Sequence, residues 1–207
     1  EAGLTVRDSQ LWSVGLHYAN GPFTLAFGYE AHDDVNAADP LPGVASTSFL
    51  NRRAAATGVA GPIATGVSDD SGWRLGGSYA FGATTVAAVY ERLESDGVLN
   101  GTAASIERDA WYLSATHKMG VMTLKGAYAQ AGDTDGAVNV NDGASQWTLG
   151  VDYDLSKRTT AYVFYSAVNN DTAAAYTLGT SNASAQFVGN GAGNDPAGVS
   201  MGIKHSF

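Results

Sequence analysis

Val199-Ser-Met-Gly-Ile-Lys-His-Ser-Phe207 closes the sequence, and counting back from Phe207 every second residue is apolar or interfacial: His205, Ile203, Met201 and Val199. Gly202, Lys204 and Ser206 fill the other register. Successive side chains of a strand point to opposite faces, so strict alternation marks a strand with different surroundings on its two sides.

The same alternation recurs upstream in paired segments, each opened by a tryptophan. Trp12, Val14, Leu16 and Tyr18 alternate with Ser13, Gly15 and His17; Asn20-Gly21, a strong hairpin signal, follows; then Phe23, Leu25, Phe27 and Tyr29 return against Thr24, Ala26, Gly28 and Glu30. A second unit runs through Trp73, Leu75, Gly77 and Tyr79, turns near Phe81-Gly82-Ala83, and returns through Val86, Ala88 and Tyr90. The third holds Trp111, Leu113, Ala115 and His117, a turn at Met119-Gly120, then Met122, Leu124, Gly126 and Tyr128. The fourth holds Trp147, Leu149, Val151 and Tyr153, a longer turn through Leu155–Arg158, and a return strand ending near Ser166. In that return strand Tyr162 and Phe164 share one face and Val163 and Tyr165 the other, and alternation alone leaves open which face is which. The expected organisation is one all-β unit over residues 1–207, with hairpins at about 8–30, 72–92, 109–130 and 146–166 and a closing strand at about 198–207, or about nine strands.

Composition narrows the setting. Charged residues are only 15% of the chain, low for a soluble surface. Mean hydropathy is nevertheless −0.09, and no apolar run approaches the roughly 20 residues of a membrane helix. Segments that are apolar only at alternate positions average to neutrality, as in a transmembrane β-barrel. Net charge is −9, the wrong sign for a phosphate backbone, so no nucleic-acid partner is expected. With no Cys there is neither a disulfide nor a thiolate metal site, and no cofactor is expected. Glu1-Ala-Gly-Leu-Thr has none of the marks of a secretory signal, which is expected to have been removed or to lie earlier in the gene.

The rings fall in two rows. Trp12, Tyr29, Trp73, Tyr90, Trp111, Tyr128 and Trp147 lie at one end of the hairpins, and Tyr18, Phe23, Tyr79, Phe81, Tyr153 and Phe207 at the other. Six residues separate Trp12 from Tyr18, roughly 20 Å of strand at ~3.3 Å per residue. Aromatic rows bracketing an aliphatic band of that height are the girdles of a lipid-exposed antiparallel barrel; a soluble sandwich would hold its rings mid-strand. The loops agree: tight turns at one end, and Gly/Ala/Asp/Asn-rich segments at about 31–70, 94–107, 131–145 and 167–197 at the other. This is the bacterial outer-membrane pattern, with the C-terminus on the periplasmic side.

Tyr153-Asp-Leu-Ser-Lys-Arg-Thr159 followed by Tyr162 and Tyr165-Ser166 resembles the hairpin motif of the general Gram-negative porins of the betaproteobacterial and neisserial type. The ending Gly202-Ile-Lys-His-Ser-Phe207 resembles the same group's C-terminus, and the hairpin rhythm extends the resemblance along the chain. The resemblance implies a homotrimer of sixteen-stranded barrels in the outer membrane, each a passive channel for small hydrophilic solutes and ions. It also implies that these nine strands are the last nine of sixteen, with the first seven strands and the constriction loop outside this sequence. An open sheet would leave unpaired backbone groups in lipid at several kcal/mol each.

In the barrel register Glu30, Arg74, Glu91, Tyr112 and Lys125 are expected to line the pore, with His17, Ser13 and Thr123, and Arg108 to stand at its outer rim. Arg74 and Lys125 are the foremost candidates for anion contact. Asp133, Asp135 and Asp142 lack the spacing and closing Glu of an EF-hand loop, so no metal site is expected, and they read as a solvated acidic loop, as do Asp33-Asp34 and Asp69-Asp70. Such an acidic rim could bridge to lipopolysaccharide phosphates through divalent cations, and outer-membrane lipid and lipopolysaccharide are expected partners. Arg52-Arg53 read as a surface pair in the first long loop. A barrel-embedded hydrolase is a rival reading, but His205 and Ser206 point to opposite faces, and His17 and Ser13 lie roughly 13 Å apart along one strand. No enzymatic activity is therefore expected. An adhesin or anchor barrel is the other alternative.

Overall fold

Alternation with turn residues at the breaks leaves the chain one economical solution, a meander of antiparallel strands. The computed structural model describes residues 10–36, 67–99, 102–136, 141–178 and 191–207. Its strands are β1 (Gln10–Asn20), β2 (Phe23–Asn36), β3 (Val67–Phe81), β4 (Thr84–Leu99), β5 (Thr102–Met119), β6 (Met122–Ala131), β7 (Asp135–Gly136), β8 (Ala144–Ser156), β9 (Thr159–Asn170) and β10 (Ala197–His205). Nine of them pair in the order β1-β2-β3-β4-β5-β6-β8-β9-β10, every pairing antiparallel. The two-residue β7 folds back onto β5 beside this path.

Four two-residue turns close one end of the sheet. Gly21, Gly82 and Gly120 each open their turn with φ between 57° and 59°, a conformation that only glycine adopts without strain. The first turn is Gly21-Pro22, one residue later than the Asn20-Gly21 signal suggests, because Asn20 still pairs with Phe23. The fourth has no glycine. There the ladder slips between Asp154 and Ser156, and this bulge lets Lys157-Arg158 make the reversal.

At the opposite end, residues 94–107, which composition suggested were loop, are mostly ladder. Pairing continues from Glu94↔Glu107 out to Leu99↔Thr102. Arg52-Arg53 and most of the first long loop lie outside the described residues.

No large core lies between layers, because there is one layer. The buried hydrophobic side chains among the described residues are Ala31, Ala104, Ile106, Ala144, Ala167, Val168 and Ala174. Trp12, Leu16, Leu75 and Leu149, which a soluble sandwich would tuck inside, are 50%, 67%, 42% and 58% exposed. Ser13 of β1, Glu30 of β2, Arg74 of β3, Glu91 of β4 and Arg108 of β5 line a common hollow of about 1140 Å³.

Candidate functional site

Strand pairing carries a face assignment from one strand to the next. Ser13 opposes Glu30, Glu30 opposes Gly72, Arg74 opposes Glu91, Val89 opposes Tyr112, Leu93 opposes Arg108, and Thr116 opposes Lys125. Glu30, Arg74, Glu91, Arg108, Tyr112 and Lys125 therefore share the polar face, together with Ser13, His17 and Thr123. Arg74 donates from Nε at 2.7 Å and also from Nη2 to Glu91 Oε2. Lys125 Nζ donates to Asp152 Oδ2 at 2.5 Å, and the Glu30 carboxylate meets His32 Nε2 at 2.7 Å. Both cations singled out for anion contact thus already face a carboxylate.

Arg108 differs. Its Nε donates to the Gly132 carbonyl at 3.1 Å, its Nη2 to the Asp142 carbonyl at 3.2 Å, and the guanidinium lies 5.3 Å from the centre of the Tyr176 ring. Among the described residues it makes no ion pair, so its charge is positioned rather than neutralised. The described residues around it are tied together. Asp142, fully buried, accepts from Thr134 N at 2.7 Å and Thr134 Oγ1 at 2.9 Å, and Asp133 Oδ1 accepts from Gly143 N at 2.7 Å. Asp142 thus caps backbone inside the fold instead of standing in solvent, while Asp133 remains exposed as it accepts from Gly143. Ala173 N donates to the Asn141 carbonyl at 2.9 Å, and Ala144, Val168 and Ala174 pack with Leu178, so the described residues 141–144 and 171–178 form one cap at this end of the sheet.

The other face carries the rings. Within hairpins Trp12 meets Tyr29 at 5.0 Å between centroids, Trp73 meets Tyr90 at 5.2 Å, Trp111 meets Tyr128 at 5.1 Å, and Trp147 meets Tyr165 at 5.1 Å. Between hairpins Tyr29 opposes Trp73, Tyr90 opposes Trp111 and Tyr128 opposes Trp147 directly. The result is an eight-ring belt from β1 to β9. Toward the tight turns lie Tyr18 with Phe23, Tyr79 with Phe81, Tyr153, and Phe207 against His205. Leu16, Leu75, Leu113, Leu124, Leu149, Val163 and Ile203 fill the band between the rows, all exposed.

One step beyond the belt, on the same face, Glu94 directly opposes Glu107 and Arg92 opposes Asp109. Arg92 binds Glu107, donates from Nε to Glu94 at 2.8 Å, and lies 3.5 Å from Asp109. A single guanidinium offsets the repulsion among three carboxylates just past the aromatic row.

Residues 1–174 match the family model described as Gram-negative porin. The chain belongs to the Gram-negative porin family. Among solved structures, the anion-selective porin from Comamonas acidovorans is 25% identical, with a TM-score of 0.65 over 95% of this chain and 49% of its own. A porin refined at 1.8 Å matches at 19% identity and TM-score 0.58, over 97% of this chain and 52% of its own. The trimer form of OmpT, an outer membrane protein of Vibrio cholerae, matches at 16% identity and TM-score 0.57, over 94% and 54%. No curated protein sequence matches significantly. The chain spans about half the length of the solved porins, and its sheet aligns to roughly half of their 16-stranded barrels. The family is one of outer-membrane proteins, and porins are not enzymes.

Two features of this porin sheet escaped the sequence. Tyr165, whose face alternation left open, completes the belt, because its cross-strand partners Leu149 and Val199 both belong to the aromatic face. The Arg92 cluster was overlooked as well, although Arg92 is in register with Tyr90 and that parity was available as a signal.

Proposed function

We propose that the protein is a passive diffusion channel for small hydrophilic solutes and ions across the outer membrane. The observation that carries this reading is the two-sidedness of a single layer: exposed aliphatic side chains between aromatic rows on one face, ionised groups on the other. Such a layer suits lipid outside and water inside, since Arg or Lys facing lipid at the midplane costs about 2–4 kcal/mol. Among the described residues β1 and β10 have one neighbour each, and in the channel both edges pair with further strands, so that no backbone group faces lipid unbonded. The belt residues Trp12, Tyr29, Trp73, Tyr90, Trp111, Tyr128, Trp147 and Tyr165 sit at one lipid boundary. Tyr18, Phe23, Tyr79, Tyr153 and Phe207 sit at the other. The channel assembles as a trimer, and lipid and lipopolysaccharide are its remaining partners.

Glu30, Arg74, Glu91, Tyr112 and Lys125 line the water-filled lumen, and Arg108 lines it beneath the outer cap. The likeness to the anion-selective porin together with Arg108, the lumen cation held by carbonyls instead of a carboxylate, supports Arg108 as the anion contact. The purified protein in planar bilayers is expected to give stepwise conductance and to swell sugar-loaded liposomes, and Arg108→Glu to move the reversal potential toward cations. A folded, inserted protein that conducts nothing overturns the channel in favour of a plugged anchor.

A further inference from the structure

The polar face of β8, β9 and β10 is lined mainly by small or hydrophilic residues, among them Thr148, Gly150, Asp152, Thr160, Ser166, Ser200 and Gly202. Tyr162 and Phe164 break the pattern. Phe164 lies opposite Gly150 in β8, and Tyr162 opposite Gly202 in β10. A Cβ placed on Gly150 would run into the Phe164 ring, and one on Gly202 into the Tyr162 ring. Both rings therefore lie down on bare backbone, one over each neighbouring strand. Their centroids are 5.5 Å apart and their planes 47° from parallel, so together they pave three strands at the height of the aliphatic band behind them. Both keep part of their surface in the open.

Cations flank the pavement. Lys125 Nζ stands 5.5 Å from the Phe164 centroid while bonded to Asp152. Lys204, two residues along β10 from Gly202 and in the same register, is exposed and makes no ion pair among the described residues. Covering a glycine with a ring protects the ladder from water and needs no neighbouring charge. Rings, a hydrogen-bonding Lys–Asp pair and an uncommitted ammonium make a different kind of surface. The electron-rich ring face attracts the slightly positive C–H edge of a sugar ring, and the ammonium groups attract an anionic substituent.

We propose that Tyr162 and Phe164 form a stacking shelf on the pore wall for sugar rings bearing a carboxylate or phosphate. The proposal rests on the reading of the polar face as lumen, and equilibrium binding tests it without requiring conductance. Saturation-transfer NMR on the detergent-solubilised protein would compare glucuronate, a ring, with gluconate, an open chain of equal charge, and with uncharged glucose. Glucuronate is expected to bind in preference to both. Phe164→Ala and Tyr162→Ala should each weaken it about tenfold, Phe164→Trp should retain it, and Lys204→Gln, an exposed change that spares the rings, should abolish the preference over glucose. Equal binding of glucuronate and gluconate, or affinity unmoved by the ring and Lys204 variants, overturns the shelf. Ring-selective binding by a protein that carries no current leaves the shelf standing and removes the channel instead.

Discussion

The two faces of this sheet are built on opposite principles. The aromatic face is periodic: four hairpins repeat one Trp–Tyr arrangement with centroid separations of 5.0, 5.2, 5.1 and 5.1 Å. The polar face repeats nothing. Arg74 meets Glu91, Lys125 meets Asp152, Arg108 grips two carbonyls, and Tyr162 and Phe164 lie over glycines. On the function proposed above the aromatic face meets lipid, a uniform solvent that asks the same of every strand. The opposite surface can differ from one strand to the next, and that freedom is where porins of one architecture can come to differ in what they pass.

That contrast can be broken by moving a charge across it. Val163→Arg, in the exposed aliphatic band, is expected to destabilise the vesicle-inserted protein by about 2–4 kcal/mol in denaturant titration, whereas Ser114→Arg, on the polar face, should stay within about 0.5 kcal/mol of the parent. Equal losses would mean that the faces do not meet different solvents. Removing one ring tests the belt as a repeat. Trp147→Ala should cost about 0.5–1.5 kcal/mol through its Tyr165 contact in the same titration, and Tyr165→Ala about as much, with a double variant less damaging than the sum. Strict additivity would reduce the belt to independent anchors. The smallest effect sharpens the boundary itself: Arg92→Ala leaves Glu94, Glu107 and Asp109 facing one another, so stability should fall slightly at low salt and recover as salt screens the repulsion. A salt-independent loss would point to packing by the Arg92 stem instead.

The legibility of the two faces in the sequence differs for the same reason. Alternation and the Trp–Tyr spacing placed six charged or polar candidates on one face and a dozen rings on the other, because a strand's period of two converts position directly into side. It could not say that Arg74 and Lys125 have partners, since Glu91 and Asp152 come opposite them only through pairing across strands. Asp142 was misread as solvated for a similar reason. Its burial depends on Thr134 folding back onto it, a contact that composition does not encode. The stretch 94–107 looked like loop because Ser95, Asp96, Gly97, Ala103, Ala104 and Ser105 are small or polar, and the burial of Ser95, Ala104 and Ile106 on one face of its ladder arises only in the folded chain.

By itself, then, the chain determined the strands, their two-sidedness and the rows of rings, all consequences of local alternation and glycine-bearing turns. Tertiary structure decided the register between hairpins, and with it the side of the sheet to which Tyr165 belongs, the partners of the polar-face cations, and the resting of Tyr162 and Phe164 on Gly202 and Gly150. Register is a non-local choice: shifting one strand by a single residue would exchange its faces, and only the simultaneous matching of all nine strands fixes it.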